Sequence, residues 1–211
     1  SLAAIKKLVY EEKCFTLQEL VDIMDSNFRG YKNEQKLLQS MPKYGNNDEY
    51  VDEIKVRIEK FANDVAYEIG KKTELDYYTI ANVNPGGIEL GPEIAASADG
   101  RGCGEPMAVG NSSVPGTDKN GLTAMLLSCA KVDPCNGGAV TNVNISKETI
   151  NNNPEKFAEI VKTYFKMGGL QLNINCFSKG DLERALQTPE KYQHLIVRVS
   201  GFSARFVDLD S

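Results

Sequence analysis

The stretch IVRVSGFSARF, residues 196–206, places a single glycine, Gly201, between two runs of strand-forming residues. Glycine inside a strand lowers stability, because it has no side chain to pack and loses more backbone freedom on folding than any other residue. A glycine here therefore indicates either a bulge or tight turn, or a chemical role that only an unsubstituted Cα can fill. The rest of the sequence must distinguish these two interpretations.

The composition is that of an ordinary globular chain. Of its 211 residues, 41% are apolar and 25% are charged, which is enough to bury a core. The net charge of −5 provides no basic surface, so we expect no nucleic-acid partner. No apolar run is long enough to cross a bilayer, so we also expect no membrane partner.

The cysteines and the histidine restrict the chemistry. The five thiols are odd in number and form no C-x-x-C pair, which favours reduced thiols in a cytoplasm: Cys14, Cys103, Cys129, Cys135 and Cys176. A His-dependent triad or a zinc site would have to use the single histidine, His194. No thiol lies at zinc-finger spacing from it, so we expect no metal site and interpret His194 as a polar residue at the start of a strand.

The first third of the chain is predicted to be helical. A capping box at Thr16–Glu19 indicates one helix start, and Asp48 can cap a long helix that Gly70 would end. Helices are predicted at 1–12, from Thr16, around 34–41 and from 48 to 70. The apolar stripe of the long helix comprises Val51, Ile54, Ile58, Phe61 and Val65.

From residue 77 onward, strands and helices alternate around a long loop. Residues 84–121 show no sustained period, and a loop of that length in a compact domain is usually functional or disordered. Strands are predicted at 77–81, 139–145, 170–176 and 195–199, and helices at 121–131, 154–167 and 181–186. The crossover lengths predict an α/β fold with parallel strands. The buried face predicted for helix 154–167 comprises Phe157, Ile160, Val161 and Phe165.

Two of the predicted strands carry amides on alternate positions. In 170–176 the polar positions are Gln171, Asn173 and Asn175, and in 139–145 they are Asn142 and Asn144. Because alternate side chains of a strand point to opposite faces, the two faces meet different surroundings. The amide face either meets water at a sheet edge or lines the polar interior of a barrel, and the pattern allows both.

The segment Arg198–Ala204, RVSGFSA, resembles the glycyl radical signature of the pyruvate formate-lyase superfamily. Further blocks resemble that family in the same order along the chain, so that the likeness covers essentially all of it. These blocks are Pro42–Asp48, Ser97–Arg101, Gly116–Gly121, Gly168–Asn175 and Thr188–Tyr192.

The resemblance implies a fold and a division into domains. The family fold is a ten-stranded α/β barrel of two half-barrels, in which a glycine loop meets a cysteine loop. It implies that residues 1–83 are the mostly helical C-terminal part of the barrel domain. Residues 84–211 would then be the glycine radical domain.

The resemblance also implies a mechanism of the lyase and acyltransferase type. Gly201 would carry the radical, supported by Arg198, Val199, Ser200, Phe202, Ser203 and Ala204. An activating enzyme that uses S-adenosylmethionine and a reduced iron–sulfur cluster would generate it, so this chain itself would bind no cofactor. The radical would pass to a cysteine thiol, which takes a hydrogen from a small-molecule substrate. The full enzyme is expected to be a homodimer.

The cysteine is where the sequence departs from the family. None of the five cysteines matches the family's cysteine loop, which lies upstream of the matched region. Two cysteines of this chain are candidates for a functional thiol: Cys103, in a glycine-rich loop, and Cys176, the nearest to Gly201. Cys103 is the better candidate, because Cys176 is expected to be a small buried apolar residue. We therefore expect the C-terminal part of an enzyme that uses a thiol from an upstream segment or split subunit and is inactive alone.

Two other functions stay open at the level of sequence. One is a stand-alone replacement domain that rescues an oxygen-damaged partner, against which the additional residues 1–83 argue. The other is a decayed, non-catalytic binding domain, against which the intact Arg198, Ser200, Gly201 and Phe202 argue. The block Gly104–Ala108 is closer to the dehydratase and decarboxylase branches than to pyruvate formate-lyase itself.

Overall fold

The computed structural model describes residues 1–73, 80–81, 93–133, 138–198 and 203–209. The chain divides into two compact units, one of residues 1–61, 86–108 and 113–128, and one of residues 62–85, 109–112 and 129–211. The family-based domain boundary at 83/84 is a different kind of division and stays a prediction. Within the described residues, no helix combines the length and apolarity needed to span a membrane.

The N-terminal helices begin where the sequence predicts. Helix α1, Leu2–Ile5, continues as a π-helix over Lys6–Glu11, and α2 and α3 cover Leu17–Asp25 and Lys32–Ser40. The capping box is present: the Glu19 amide donates to the Thr16 hydroxyl at 3.2 Å, and the Glu19 carboxylate accepts from the Thr16 amide at 2.7 Å. These two bonds satisfy amide donors that the start of a helix leaves open.

The apolar core of the first unit lies among these helices. Four large side chains are completely buried in it: Leu8, Leu20, Phe28 and Leu38. Ala98 joins the same cluster from the predicted loop. The loop is therefore attached to the helices through an apolar contact, and its described residues, 93–120, contain neither an α-helix nor a strand.

Helix α4 covers Glu49–Thr73, so the prediction that Gly70 ends it was wrong. An interior glycine costs about 1 kcal/mol relative to alanine, which a 25-residue helix tolerates. Lys71 and Lys72 in its last turn also favour continuation, since cations stabilise a helix C-terminus. Of the predicted stripe, Val51 is buried, whereas Phe61 is 70% exposed.

The second unit contains a parallel sheet, as predicted. Strands β1 (Ile80–Ala81), β2 (Gly138–Ile145) and β3 (Gln171–Cys176) lie in that order. Helix α5, Gly121–Ala130, precedes β2, and α6, Lys147–Asn152, and α7, Pro154–Lys166, connect β2 to β3. Helix α8, Lys179–Gln187, follows β3. Of the strand predicted at 77–81, residues 77–79 lie outside the described residues.

The connection between β2 and β3 holds two differences from prediction. Helix α6 was not predicted, although Ser146 caps it by accepting from the Thr149 amide at 3.1 Å. In α7 the buried aromatic is Tyr164, and Phe165 is 45% exposed, so the prediction for Phe165 was wrong. Tyr164 lies one heptad after Phe157 and finds a buried hydroxyl partner, which makes its burial favourable.

Strands β4 (Ile196–Arg198) and β5 (Ser203–Arg205) form a separate antiparallel pair. The parallel arrangement predicted for the second half therefore does not extend to β4, and β5 was not predicted. The two strands are too close in sequence for a parallel crossover, which needs a dozen or more residues. The chain as described is an α/β fold.

Candidate functional site

The structure brings the two ends of the predicted radical segment together. Arg198 lies opposite Ser203 in the β4–β5 register, and its guanidinium Nη1 lies 3.4 Å from the Ser203 hydroxyl. Ala204 lies opposite Val197, which is buried. The intervening Val199, Ser200, Gly201 and Phe202 lie outside the described residues. The structure thus places three of the seven predicted residues, Arg198, Ser203 and Ala204, on one hairpin.

Strand β4 is attached to β3 by a side chain. The Asn175 carboxamide oxygen accepts from the Arg198 amide at 2.7 Å, and its Nδ2 donates to the Arg198 carbonyl at 2.8 Å. A carboxamide has the same donor and acceptor groups as a peptide. Asn175 therefore takes the part of a neighbouring strand for Arg198, a role that the alternating amides alone did not reveal.

The amides of β2 and β3 pair across the sheet in register. Asn173 donates to Asn142 Oδ1 at 3.0 Å, and Asn175 donates to Asn144 Oδ1 at 3.1 Å. The Asn142 Nδ2 atom is buried and has no hydrogen-bond partner within the part of the chain that the structure describes. The amide side chains thus bond to one another across β2 and β3. The sequence had left open only whether they meet water at a sheet edge or line a polar barrel interior.

The segment Gly110–Ser112 holds β2 by the same device. The Ser112 hydroxyl accepts from the Asn142 amide at 2.7 Å and donates to the Asn142 carbonyl at 3.1 Å. The fully buried Asn111 donates its amide to Val140 O at 2.9 Å and its Nδ2 to Cys129 O at 3.1 Å. Sequence reasoning missed this segment, whose signal was a glycine followed by two short polar residues.

The cysteine and histidine predictions have mixed outcomes. Cys176 is exposed at the end of β3, so the expectation that it is buried was wrong. Its in-register partner Ile145 is buried, but β3 is the outer strand of the sheet as described, and none of its residues is fully buried. Cys103 is also exposed, and its backbone amide donates to Asn27 Oδ1 at 2.8 Å. His194 is exposed and stacks on Tyr192 with ring centroids 6.0 Å apart. Among the described residues, no cluster of three or more metal-ligating side chains is present.

In the first unit, the block Ser97–Arg101 is held by a buried arginine. Arg101 is 8% exposed, and its guanidinium donates to the carbonyls of Gly102 at 3.2 Å and Glu105 at 2.9 Å, and also to that of Ala95. Its Nε donates to the Ser97 hydroxyl at 3.1 Å. Arg101 therefore fixes the path of this loop by satisfying backbone carbonyls.

Gly100 in the same block has no room for a side chain. Its φ is +85°, and a Cβ atom there would lie 2.5 Å from Gln39 Cγ and 2.8 Å from Gln35 O. The side chains of Gln35 and Gln39 both donate to the Gly100 carbonyl at 3.1 Å. The glycine is thus needed for the close contact of this loop with α3.

Two other blocks of the resemblance meet in the first unit. Asn46 donates to Thr117 O at 2.8 Å, and it accepts two hydrogen bonds of 3.0 Å from Asn120, one at Oδ1 and one at its backbone carbonyl. These contacts join the block Pro42–Asp48 to the block Gly116–Gly121. Residues separated by about 70 positions are therefore held together by amide side chains.

A cavity of about 620 Å³ lies beside these loops in the first unit. Burial lowers the pKa of Lys43 on its wall, whose Nζ donates to Leu38 O at 2.7 Å and to Met41 O at 3.1 Å. Burial alone would raise the pKa of Asp99, but the hydrogen bond from Ser97 and nearby positive charges outweigh it and lower that pKa. The Asp99 carboxylate thus stabilises the folded state at neutral pH, whereas burial of the Lys43 ammonium opposes folding and its two hydrogen bonds offset that cost.

Comparison with known families gives two matches. The family described as Pyruvate formate lyase-like matches residues 1–84, and the family described as Glycine radical matches residues 107–207. The second match contains every residue of the predicted radical segment.

Individual relatives agree with these matches. The isethionate sulfite-lyase of Bilophila wadsworthia is 34% identical over 99% of this chain and 26% of its own length. The trans-4-hydroxy-L-proline dehydratase of Clostridioides difficile is 36% identical over 99% of this chain and 27% of its own length. The glycerol-bound B12-independent glycerol dehydratase from Clostridium butyricum superposes with a TM-score of 0.89 at 32% identity, over 100% of this chain and 27% of that structure. This chain thus spans about a quarter of the length of these relatives.

Proposed function

This chain belongs to the glycyl radical enzyme superfamily and matches the C-terminal portion of its relatives, and from that premise we propose that it stores a catalytic radical on the Cα of Gly201. The observation that carries the proposal is the Glycine radical match over residues 107–207, which includes Arg198–Ala204. A Cα radical is shared with the two flanking peptide groups only if its centre is flat. Glycine is the residue with no Cβ to prevent this.

The radical forms when one Cα–H bond of Gly201 breaks homolytically. The hydrogen atom passes to a radical that the partner we propose for this chain, an activating enzyme, makes by cleaving S-adenosylmethionine with one electron from a reduced iron–sulfur cluster. The unpaired electron stays on Cα, so this chain needs no bound cofactor for storage. Its own contribution is to position and protect the residue.

We further propose that the stored radical serves a thiol provided by an upstream segment or a split subunit. Two observations support this proposal. The chain spans about a quarter of the length of its relatives, and none of its five cysteines matches the family's cysteine loop. By analogy with the named lyase and dehydratases, the reaction of the whole enzyme is a radical elimination on a small oxygenated substrate. The chain alone is then expected to hold a radical without turnover.

Anaerobic activation tests the proposal. The 211-residue chain is incubated with a family activating enzyme, S-adenosylmethionine and a reductant, and its electron paramagnetic resonance spectrum is recorded. One hydrogen remains on the glycine Cα, so we expect a doublet, which collapses when the chain contains α-deuterated glycine. Gly201→Ala is expected to abolish the signal.

A matched control is Gly180→Ala in α8. Gly180 has no positive φ, and a Cβ there would meet only the flexible end of Arg184, at 3.2 Å. This variant is expected to retain the doublet. A doublet that survives Gly201→Ala, or a parent chain that gives none, would contradict the proposal.

A further inference from the structure

The side chain of Asn175 replaces a strand for β4. In an antiparallel pair, the amide and carbonyl of one residue point to the same side. Leu195 and Phe206 form a hydrogen-bonded pair, because the Phe206 amide donates to Leu195 O at 2.8 Å. Bonded and non-bonded pairs alternate along an antiparallel register, so Arg198 and Ser203, three pairs further on, form a non-bonded pair. The backbone amide and carbonyl of Arg198 therefore point away from β5. Both of these groups are bonded to the Asn175 carboxamide, at 2.7 and 2.8 Å.

The remaining hydrogen of the Asn175 amide goes to the sheet. Nδ2 donates to Asn144 Oδ1 at 3.1 Å, and Asn144 is the in-register partner of Asn175 on β2. Both hydrogens of Nδ2 and one lone pair of the oxygen are therefore used. Since every contact constrains the same amide plane, the carboxamide is held in one orientation and links β2, β3 and β4.

The attachment of β4 differs from that of the other strands. Among the described residues, β2 pairs with β3 through a parallel backbone ladder, whereas β4 has a backbone ladder with β5 alone. A half-buried side chain with two bonds to one residue is a weaker attachment than a ladder of peptide groups. Segments with such attachments open at a lower free energy than the core of a domain.

We propose that Asn175 is the positioning residue of the β4–β5 hairpin, whose carboxamide determines the fraction of molecules in which β4 is docked on β3. Arg198 precedes Gly201 by three positions, so the docked strand fixes one end of the segment that would carry the radical. The link to the radical rests on the proposed function. The docking itself rests on the distances around Asn175.

Asn142 provides a matched control on the neighbouring strand. Its Oδ1 accepts from Asn173 at 3.0 Å, just as Asn144 Oδ1 accepts from Asn175 at 3.1 Å. Asn142→Leu therefore removes one amide pair of the ladder and leaves Asn175 with both bonds to Arg198. Asn175→Leu removes a pair of the same kind and also both bonds to Arg198.

Amide hydrogen exchange of the full chain, followed by nuclear magnetic resonance, tests the docking. Asn175→Leu is expected to speed exchange of the Arg198 amide about tenfold or more, because two hydrogen bonds are lost. Asn142→Leu is expected to change that rate less than twofold. Equal acceleration in both variants, or an Arg198 amide that is already unprotected in the parent chain, would overturn the proposal.

A second variant keeps the test decisive if Asn175→Leu fails to fold, as shown by lost protection of Val143 in β2. Asn175→Asp retains an acceptor for the Arg198 amide and loses both donated hydrogens. Its Arg198 exchange is expected to lie between the rates of the parent and of an unprotected amide. Unchanged protection in Asn175→Asp would show that the donated bonds do not hold β4.

Radical lifetime tests the link to Gly201. After anaerobic activation, the doublet of Asn175→Leu is expected to decay several-fold faster than that of the parent, and Asn142→Leu is expected to match the parent. Equal decay in Asn175→Leu, with accelerated Arg198 exchange, would overturn the link and leave the docking intact. A parent chain without a doublet would contradict the proposed function, while amide exchange would still decide the role of Asn175.

Discussion

The loop around Arg101 and the hairpin after His194 are both held by polar side chains, but with very different burial. Arg101 is 8% exposed and donates hydrogen bonds to three carbonyls and a hydroxyl. Any displacement of its loop would therefore break several buried hydrogen bonds. Strand β4 is attached to β3 through one half-buried carboxamide, that of Asn175. The difference teaches that this chain uses buried, multiple contacts where a loop must stay fixed. Beside the proposed radical segment, it attaches β4 to β3 through the two hydrogen bonds of one half-buried side chain.

The largest effect is expected at the fixed loop. Gly100→Ala should lower the free energy of unfolding by roughly 2–4 kcal/mol, because a side chain at φ +85° is strained and its Cβ would overlap α3. Urea denaturation followed by circular dichroism measures this loss. Gly116→Ala is the control, since Gly116 has a φ of +77° but no atom of the described residues lies within 4 Å of its Cβ position. Equal losses in the two variants would show that the loop is not held as tightly as the contacts indicate.

An intermediate effect is expected at Tyr164, which makes a buried polar contact in the second unit. Its hydroxyl shares a hydrogen bond of 2.9 Å with the fully buried Thr141. Tyr164→Phe should lower the free energy of unfolding by about 1–2 kcal/mol, because the Thr141 hydroxyl loses its partner. The exposed Tyr67→Phe should change it by less than about 0.5 kcal/mol. A larger loss for Tyr67→Phe would contradict the assignment of Tyr164 as the structural hydroxyl.

The same tyrosine gives a pH dependence. Burial raises the pKa of Tyr164 above its usual value, outweighing the hydrogen bond from Thr141. The folded state therefore holds this proton more tightly than the unfolded state. The contribution of Tyr164 to stability is fully present below the pKa of a tyrosine in the unfolded state, near 10. It is lost as the pH rises through the higher pKa of the folded state. In Tyr164→Phe, the free energy of unfolding should therefore fall less steeply with pH in the alkaline range. Urea denaturation at several values between about pH 9 and about pH 11 measures this slope, and a slope equal to that of the parent chain would contradict the prediction.

The smallest effect is expected at Asp181, whose side chain is partly exposed. Hydrogen bonds from Ser178, Arg184 and Lys147 lower its pKa to about 2. Its contribution to stability is present above the usual pKa of an aspartate, near 4, and is lost as the pH falls toward 2. A carboxyl carbon titration by nuclear magnetic resonance measures this pKa. Arg184→Gln should raise it, because the Arg184 guanidinium lies 2.7 Å from the carboxylate, and an unchanged value would contradict this contact.

Local signals in the sequence were sufficient for much of the fold. The capping box at Thr16, the helices and the parallel strands depend on short-range propensity and periodicity. The same signals were insufficient where distant packing decided the outcome. Gly70 has the composition of a helix end but lies inside α4, and Phe165 lies outside the buried face because Tyr164 finds Thr141.

The sequence by itself determined the family, since the signature around Gly201 and the ordered blocks are properties of the chain that need no coordinates. It also determined which residue type could carry the proposed radical, because only glycine lacks a Cβ. The tertiary structure decided what holds the flanking strand. Asn175 and Arg198 are 23 residues apart, and their amide groups meet only through the register of β3 and the position of β4. Such a contact depends on how separate segments pack, and no local pattern in the sequence encodes it.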